Sequence, residues 1–286
     1  MPAATPADGA PPKRVLVVGA GLIGTSVALA IRRAWPATHV DAMDPAPAAV
    51  AAYAGGFDRV IDAAAPLPVC DLAILACPVD AMAPWLTRLA ALPVPPTVTD
   101  VGSVKRLPRE AARAAGLSRF VGGHPMAGAS ASGPALATAT LFDGRPWFVE
   151  AGDAPADAVA QVVTLVEACG GRPVPVEPDA HDALVAAISH LPQLVSSVLM
   201  SVVHDAAGPA GLGCAAGGLR DTTRLAASAA SMWTPILDAN RDHLAPLVAE
   251  LARRLAAAGE TLGDRAAMTR LFADANRHRR DLEPPV

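Results

Sequence analysis

The sequence predicts two structural halves, an α/β half built on a parallel sheet and then an all-α half. Three observations carry this expectation. A short apolar run, Val15-Leu16-Val17-Val18, leads into Gly19-Ala20-Gly21-Leu22-Ile23-Gly24 and then a helical pattern up to Arg33, as in the first strand, turn and helix of a βαβ unit. Strand signals recur at 38–43, 72–76, 97–101 and 120–122, with alanine-rich helical stretches between them, an alternation that argues for a parallel sheet. After Pro178 the texture changes, and 183–188, 194–204, 222–230, 236–258 and 265–276 all read as helix. The boundary is expected near 177, giving 13–177 and 178–286 as the two halves.

Composition narrows the class. Of 286 residues, 52% are hydrophobic and 17% charged, enough to bury a sizeable core and unlike a disordered chain. Aromatics are 3% and the net charge is −4, so neither a base-stacking nucleic-acid surface nor a field that attracts DNA or anionic membranes is expected. Cys70, Cys77, Cys169 and Cys214 form no CxxC pair. They are read as reduced core thiols of a cytoplasmic protein, with no zinc site, no other metal site and no disulfide framework. The uncharged stretch 15–31, between Lys13-Arg14 and Arg32-Arg33, has the outline of a signal peptide or short membrane span. Three glycines at fixed spacing inside it point elsewhere.

In Gly19-x-Gly21-x-x-Gly24 the glycines permit a tight turn, close approach of a pyrophosphate to the backbone, and close helix–sheet packing. The helix that follows presents free N–H groups and a partial positive charge to phosphates, and Leu22 and Ile23 belong to the same cradle. Asp44 ends the second strand, about 20 residues beyond the third glycine. A carboxylate there bonds ribose hydroxyls and repels a 2′-phosphate, which favours NAD over NADP; the alternative is that Asp44-Pro45 merely makes a turn. Cys77 and Pro78, directly after the 72–76 strand, are counted with the cofactor-binding residues. The first half is therefore expected to be a Rossmann-type dinucleotide-binding domain.

Two more motifs sit at strand ends, where ligands bind in such sheets. In Asp100-Val101-Gly102-Ser103-Val104-Lys105, Ser103 and Lys105 are expected to face the crevice, or Ser103 simply caps a helix. In Gly122-Gly123-His124-Pro125-Met126-Ala127-Gly128 the histidine has little packing freedom and an ordinary pKa suited to proton transfer. The helical half adds Ser189-His190-Leu191-Pro192-Gln193, where proline interrupts a helix, and Gly218-Leu219-Arg220-Asp221-Thr222-Thr223-Arg224. Arg220 and Arg224 would share a face if the helix reaches back that far. They are either a carboxylate-binding pair or surface arginines with Asp221 as local partner. Trp233 reads as core by default.

Taken in order, GAGLIGTS, DVGSVK, GGHPMAG, SHLP, LRDTTRLA and SMW resemble the prephenate/arogenate dehydrogenase family of tyrosine biosynthesis, from about Arg14 to at least Asn240. The resemblance implies a Rossmann-type domain followed by an all-α domain that forms a homodimer, with NAD as cofactor and prephenate or arogenate as substrate. It implies that His124 accepts the proton of the ring C4 hydroxyl while hydride passes to the nicotinamide and the C1 carboxylate leaves as carbon dioxide. It also implies that Ser103 hydrogen-bonds this histidine beside the nicotinamide and that Arg224 holds the ring carboxylate. Trp233 then belongs to the pocket, with Ser189, His190, Gln193 and Ala129 as further substrate-binding positions, and Asp221 is a structural acid near the mouth of the cleft.

Two departures bear on specificity. Gln193 stands where many prephenate-using members have the second histidine of SHLPH, and Ala129-Ser130 stand where many have Thr-Glu. An amide at 193 suits the ammonium of arogenate or tolerance of both substrates. The chain is expected to lack the regulatory domain or fused mutase of some relatives. Other readings are a dehydrogenase of an aminated prephenate analogue, a β-hydroxyacid dehydrogenase, or a silent NAD-binding sensor. The second would place a catalytic lysine in the helical half, and none follows Lys105.

Overall fold

The structure, a computed structural model, describes residues 10–51, 55–128 and 133–282. The first half is one eight-stranded sheet in the order β3-β2-β1-β4-β5-β6-β7-β8. Its strands are β1 (Arg14–Val18), β2 (His39–Asp44), β3 (Arg59–Asp62), β4 (Leu72–Leu75), β5 (Thr97–Asp100), β6 (Phe120–Pro125), β7 (Pro146–Glu150) and β8 (Arg172–Pro175). β1 to β6 run parallel, and β7 turns back against β6 and pairs in parallel with β8. The central strands are covered on both faces, which is why β1 and β4 are continuous apolar runs.

Helices α1 (Leu22–Ala34) and α5 (Ala156–Ala168) cover one face, where Val27, Ile31, Val162 and Leu165 pack with Trp147 and Phe142. On the other face, α3 (Met82–Ala90) and α4 (Arg106–Ala114) pack Leu86, Leu89 and Ala112 against Leu16, Leu75 and Phe120. Among the described residues, the remaining α-helix of this half is the short α2 (Pro47–Ala51). The order of connection reverses between β1 and β4. The carboxyl ends of β1, β4, β5 and β6 therefore open on one edge, the position of ligands in doubly wound sheets.

The second half is helical: α6 (Pro178–Val185), α7 (Leu191–Leu212), α8 (Gly217–Thr222), α9 (Ala230–Ala239), α10 (Arg241–Glu260) and α11 (Arg265–Arg280). One turn of π-helix, Ala186–His190, joins α6 to α7. Pro192 explains it: the ring has no N–H and crowds the carbonyl four residues back, and the wider turn relieves both. The halves interlock. Ile236 and Trp233 of α9 pack into the α3/α4 side of the sheet core. Asp182 accepts the main-chain N–H groups of Lys105 at 2.7 Å and Arg106 at 3.1 Å, so an acid of the helical half caps α4. Ser103 does not.

Several local expectations are corrected. β6 runs on beyond 122 through His124 and Pro125 because these residues pair with Phe148 and Trp147 of β7. The helix expected at 236–258 breaks at Asn240, which leaves helical geometry with φ −116°. The stretch 222–230 is not one helix: α8 ends at Thr222, and Arg224–Ala227 forms a separate 3-10 turn. β3 carried no sequence signal. All four cysteines are free. Burial pushes the thiols of Cys70, Cys77 and Cys169 up to about 12, whereas Cys214 is exposed rather than in the core.

The stretch 178–212 is long and apolar enough to cross a membrane by length and composition, with mean hydropathy 1.6 over its most apolar window, of which 28% is buried. It also carries the π turn and the buried polar side chains His181, Asp182, His190, Gln193 and Ser196. Leu184, Ile188, Val198 and Val202 are exposed along it.

Candidate active site

At the carboxyl end of β1, the glycines are required by space. Gly19 has φ +92°, and a Cβ there would lie 2.7 Å from the Ala76 carbonyl oxygen, hard against the main chain leading to Cys77 and Pro78. A Cβ on Gly24 would overlap the Gly19 carbonyl oxygen. Gly21 is different: its Cβ would meet nothing within 4 Å. Its side faces open space beside the first turn of α1, which contains Leu22, Ile23 and Gly24 and has no side-chain cap. Such a turn offers uncapped N–H groups to an anion. Asp44 ends β2 beside this turn, and its carboxylate accepts the N–H groups of Ala20 and Ala46, both at 2.9 Å. These residues could hold a dinucleotide: a phosphate cradle beside an acid fixed by two main-chain N–H groups.

The neighbouring strand ends carry the acid–base groups. Asp100, last in β5, accepts from the Gly102 N–H at 2.8 Å and the Gly123 N–H at 3.0 Å. It also pairs with the fully buried Lys105 ammonium. Lys105 thus turns into the core rather than into the crevice. One carboxylate holds both the loop bearing Ser103 and the strand bearing His124.

His124 is buried between Phe148 and His181. Burial holds its pKa well below the ordinary value of 6.5, helped by His181, Lys105 and His190 nearby. It is a neutral base at physiological pH. Its Nδ1 lies 2.8 Å from His181 Nε2, and His181 Nδ1 lies 2.8 Å from Asp182 Oδ1. No hydrogen bond joins Ser103 to His124 among the described residues; Ser103 is half-buried in the adjoining loop.

His190 is fully buried, and burial lowers its pKa to about 4. Asn240 Nδ2 lies 2.7 Å from the Asp182 carbonyl oxygen and 3.1 Å from His190 Nδ1. The first contact requires the amide nitrogen there, so the second makes His190 Nδ1 an acceptor and leaves the ring hydrogen on Nε2. That Nε2 is buried without a hydrogen-bond partner, as is Nε1 of Trp233. The two rings meet edge to face at 5.9 Å, and the main chain of Ser103 lies near enough to favour a charged His190 slightly.

The remaining predicted residues divide. Gln193 is buried and directed inward: its Nε2 donates to the Leu225 carbonyl at 2.8 Å, and its Oε1 accepts from the Ser228 hydroxyl at 3.3 Å. Ser189 is half-buried, in the π turn. Arg224 is exposed at the start of the 3-10 turn that Gln193 holds, and Arg220 and Asp221 are exposed in α8. The two arginines do not share a helix. Ala129 lies outside the described residues. Sequence reasoning missed His181, Asp182 and Asn240, although an adjacent His-Asp pair at the start of the helical half was a visible signal.

Two family profiles match the chain, the prephenate dehydrogenase nucleotide-binding domain over residues 27–174 and the prephenate dehydrogenase dimerization domain over 177–273. The chain belongs to the prephenate dehydrogenase family. It is 35% identical over 240 residues to a prephenate dehydrogenase of Bacillus subtilis, covering 80% of this chain and 65% of that protein. The chain therefore spans just under two thirds of that relative's length. It resembles the structure of Aquifex aeolicus prephenate dehydrogenase in complex with hydroxyphenyl propionate and NAD+, with TM-score 0.86, 25% identity, and coverage of 95% of this chain and 98% of that one. It also resembles Synechocystis arogenate dehydrogenase, with TM-score 0.75, 25% identity, and coverage of 94% and 100%. Family members thus carry names referring to either substrate.

Proposed function

We propose that the protein catalyses the NAD-dependent oxidative decarboxylation of prephenate, arogenate or both, to 4-hydroxyphenylpyruvate or tyrosine, in tyrosine biosynthesis. The observation that carries this reading is a neutral, buried His124 at the end of β6, on the same sheet edge as the Gly19–Gly24 cradle. NAD, when bound, supplies the hydride acceptor. Gly19, Gly21, Leu22, Ile23, Gly24, Asp44, Cys77 and Pro78 hold it, and His124 takes the proton of the substrate's C4 hydroxyl. Asp100 keeps the Ser103 loop and the His124 strand in register by bonding both. Arg224 holds a substrate carboxylate, and Ser103, Ser189, His190, Trp233 and Ala129 complete the site.

Gln193 favours a modified account of specificity. Both ends of its amide are engaged, by Leu225 and Ser228. It shapes the site by fixing the turn that carries Arg224, rather than by receiving the ammonium of arogenate directly. The exposed apolar residues Leu184, Ile188, Val198 and Val202 suit a second copy of the chain, so the working form is a homodimer, and four free thiols suit the cytoplasm.

The deciding experiment is NAD⁺ reduction with prephenate and arogenate side by side, repeated with NADP⁺. Turnover with either substrate, and preference for NAD⁺, is expected. His124→Asn is expected to keep NAD binding and lose roughly 10²–10⁴-fold in kcat, the range for a general base. Near-normal turnover in that variant removes the assignment of His124.

A further inference from the structure

The row His124–His181–Asp182 has one consistent arrangement of hydrogens when Asp182 is ionised. A carboxylate only accepts, so His181 Nδ1 carries the hydrogen of its 2.8 Å contact with Asp182 Oδ1. Neutral His181 then has a bare Nε2, and the 2.8 Å contact with His124 requires His124 Nδ1 to donate. The bare nitrogen of His124 is consequently Nε2. Burial works against the charge on Asp182, but His181 and the main-chain N–H groups of Lys105 and Arg106 outweigh it and keep the carboxyl below its ordinary range. Arg106 Nε adds a contact at 3.2 Å. The ring of His181 is itself fixed edge-on against Phe148 at 5.2 Å.

We propose that His181 and Asp182 form a positioning relay, which holds His124 in the tautomer with Nε2 free and balances the imidazolium that forms there. This rests on the reading of His124 as the base. The substrate O–H bond breaks and the proton bonds to Nε2, while its electron pair closes the C4 carbonyl as hydride passes from C4 to NAD⁺. Loss of the C1 carboxylate as carbon dioxide returns an electron pair to that oxygen, which takes the proton back. Throughout, Nδ1 of His124 keeps its hydrogen on His181, and His181 keeps its own on Asp182. The other charged or titratable neighbours are already committed. Lys105 is paired with Asp100, Arg106 with Asp182 and Asp242, and His190 accepts from Asn240. On the row itself the carboxylate of Asp182 faces the new positive charge, with that of Asp100 close by.

Two variants and one spectrum test this. His181→Phe preserves a ring against Phe148 but cannot accept a hydrogen bond. It is expected to lower kcat by about tenfold or more, as loss of an orienting partner typically does. KM for NAD⁺ should stay unchanged. His181→Gln restores an acceptor and should recover most of that loss. A kcat within twofold of the parent for His181→Phe, or equal losses in the two variants, overturns the relay. The unmodified protein gives an independent reading by ¹⁵N NMR of its seven histidines: His124 should carry hydrogen on Nδ1 and none on Nε2, and the reverse tautomer overturns the proposal even if a variant fails to fold. Loss of turnover in His124→Asn combined with a normal His181→Phe removes the relay alone. Normal turnover in both removes the base assignment as well.

Discussion

Gln193 donates to the carbonyl oxygen of Leu225 at 2.8 Å, which ties the first turn of α7 to the 3-10 turn that begins with Arg224. A residue expected to read the substrate's side chain instead anchors the segment that presents the arginine. Replacing it with Leu keeps the bulk and removes both bonds. An intramolecular hydrogen bond contributes about 0.5–1.5 kcal/mol, so Gln193→Leu should lower Tm and raise substrate KM while changing kcat little. A thermal melt and steady-state kinetics check this; a loss confined to kcat would contradict the anchoring role.

Arg224 is exposed in the single chain, so its removal should leave the fold intact. Hydrogen bonds to charged groups contribute about 1.5–3 kcal/mol, and Arg224→Ala should raise substrate KM by roughly ten- to a hundredfold at unchanged Tm. An unaltered KM would take the carboxylate-binding role away from this residue.

Gly24 tests the cradle. Because a Cβ there would overlap the Gly19 carbonyl oxygen, Gly24→Ala should distort the turn and weaken NAD binding. Calorimetric titration with NAD⁺ is expected to show at least a tenfold rise in Kd. A smaller side-chain penalty is expected at Gly21 without cofactor, since its Cβ would meet no protein atom within 4 Å. Gly21→Ala should therefore preserve Tm while weakening NAD binding.

Acid should unfold the protein through its buried histidines. His124, His181 and His190 all have pKa values lowered from 6.5, chiefly by burial, and that of His190 falls to about 4. The unfolded chain binds these protons more readily, so the neutral rings' advantage is complete above about pH 6.5 and is lost as pH falls towards the folded values. Each histidine that protonates only on unfolding costs about 1.4 kcal/mol per pH unit. Calorimetric melts should show Tm flat above pH 7 and falling steadily between pH 6 and 4. A constant Tm across that lower window would mean that these rings are not held neutral.

Much of the site was legible because its residues lie at strand ends with local signatures. The Gly19–Gly24 turn, Asp44, the Ser103 loop and His124 each follow an apolar strand within a few residues, and the pattern that marks the strand also places the ligand edge. Lys105 and Gln193 were harder to place. Whether a polar side chain faces a crevice or the core depends on which partner meets it in space, the buried Asp100 carboxylate for one, Leu225 and Ser228 for the other. The break at Asn240 was hidden because helical periodicity continues through it, whereas Pro192 marked an interruption whose form, the π turn at Ala186–His190, only the structure shows.

The sequence by itself determined the α/β half, the helical half and the position of the histidine, because period and turn chemistry are local properties of the backbone. Only the tertiary structure decided which nitrogen of that histidine is bare. The answer depends on His181 and Asp182 meeting His124 across 57 residues of chain, and a hydrogen bond's direction is fixed by the partner that faces it in space.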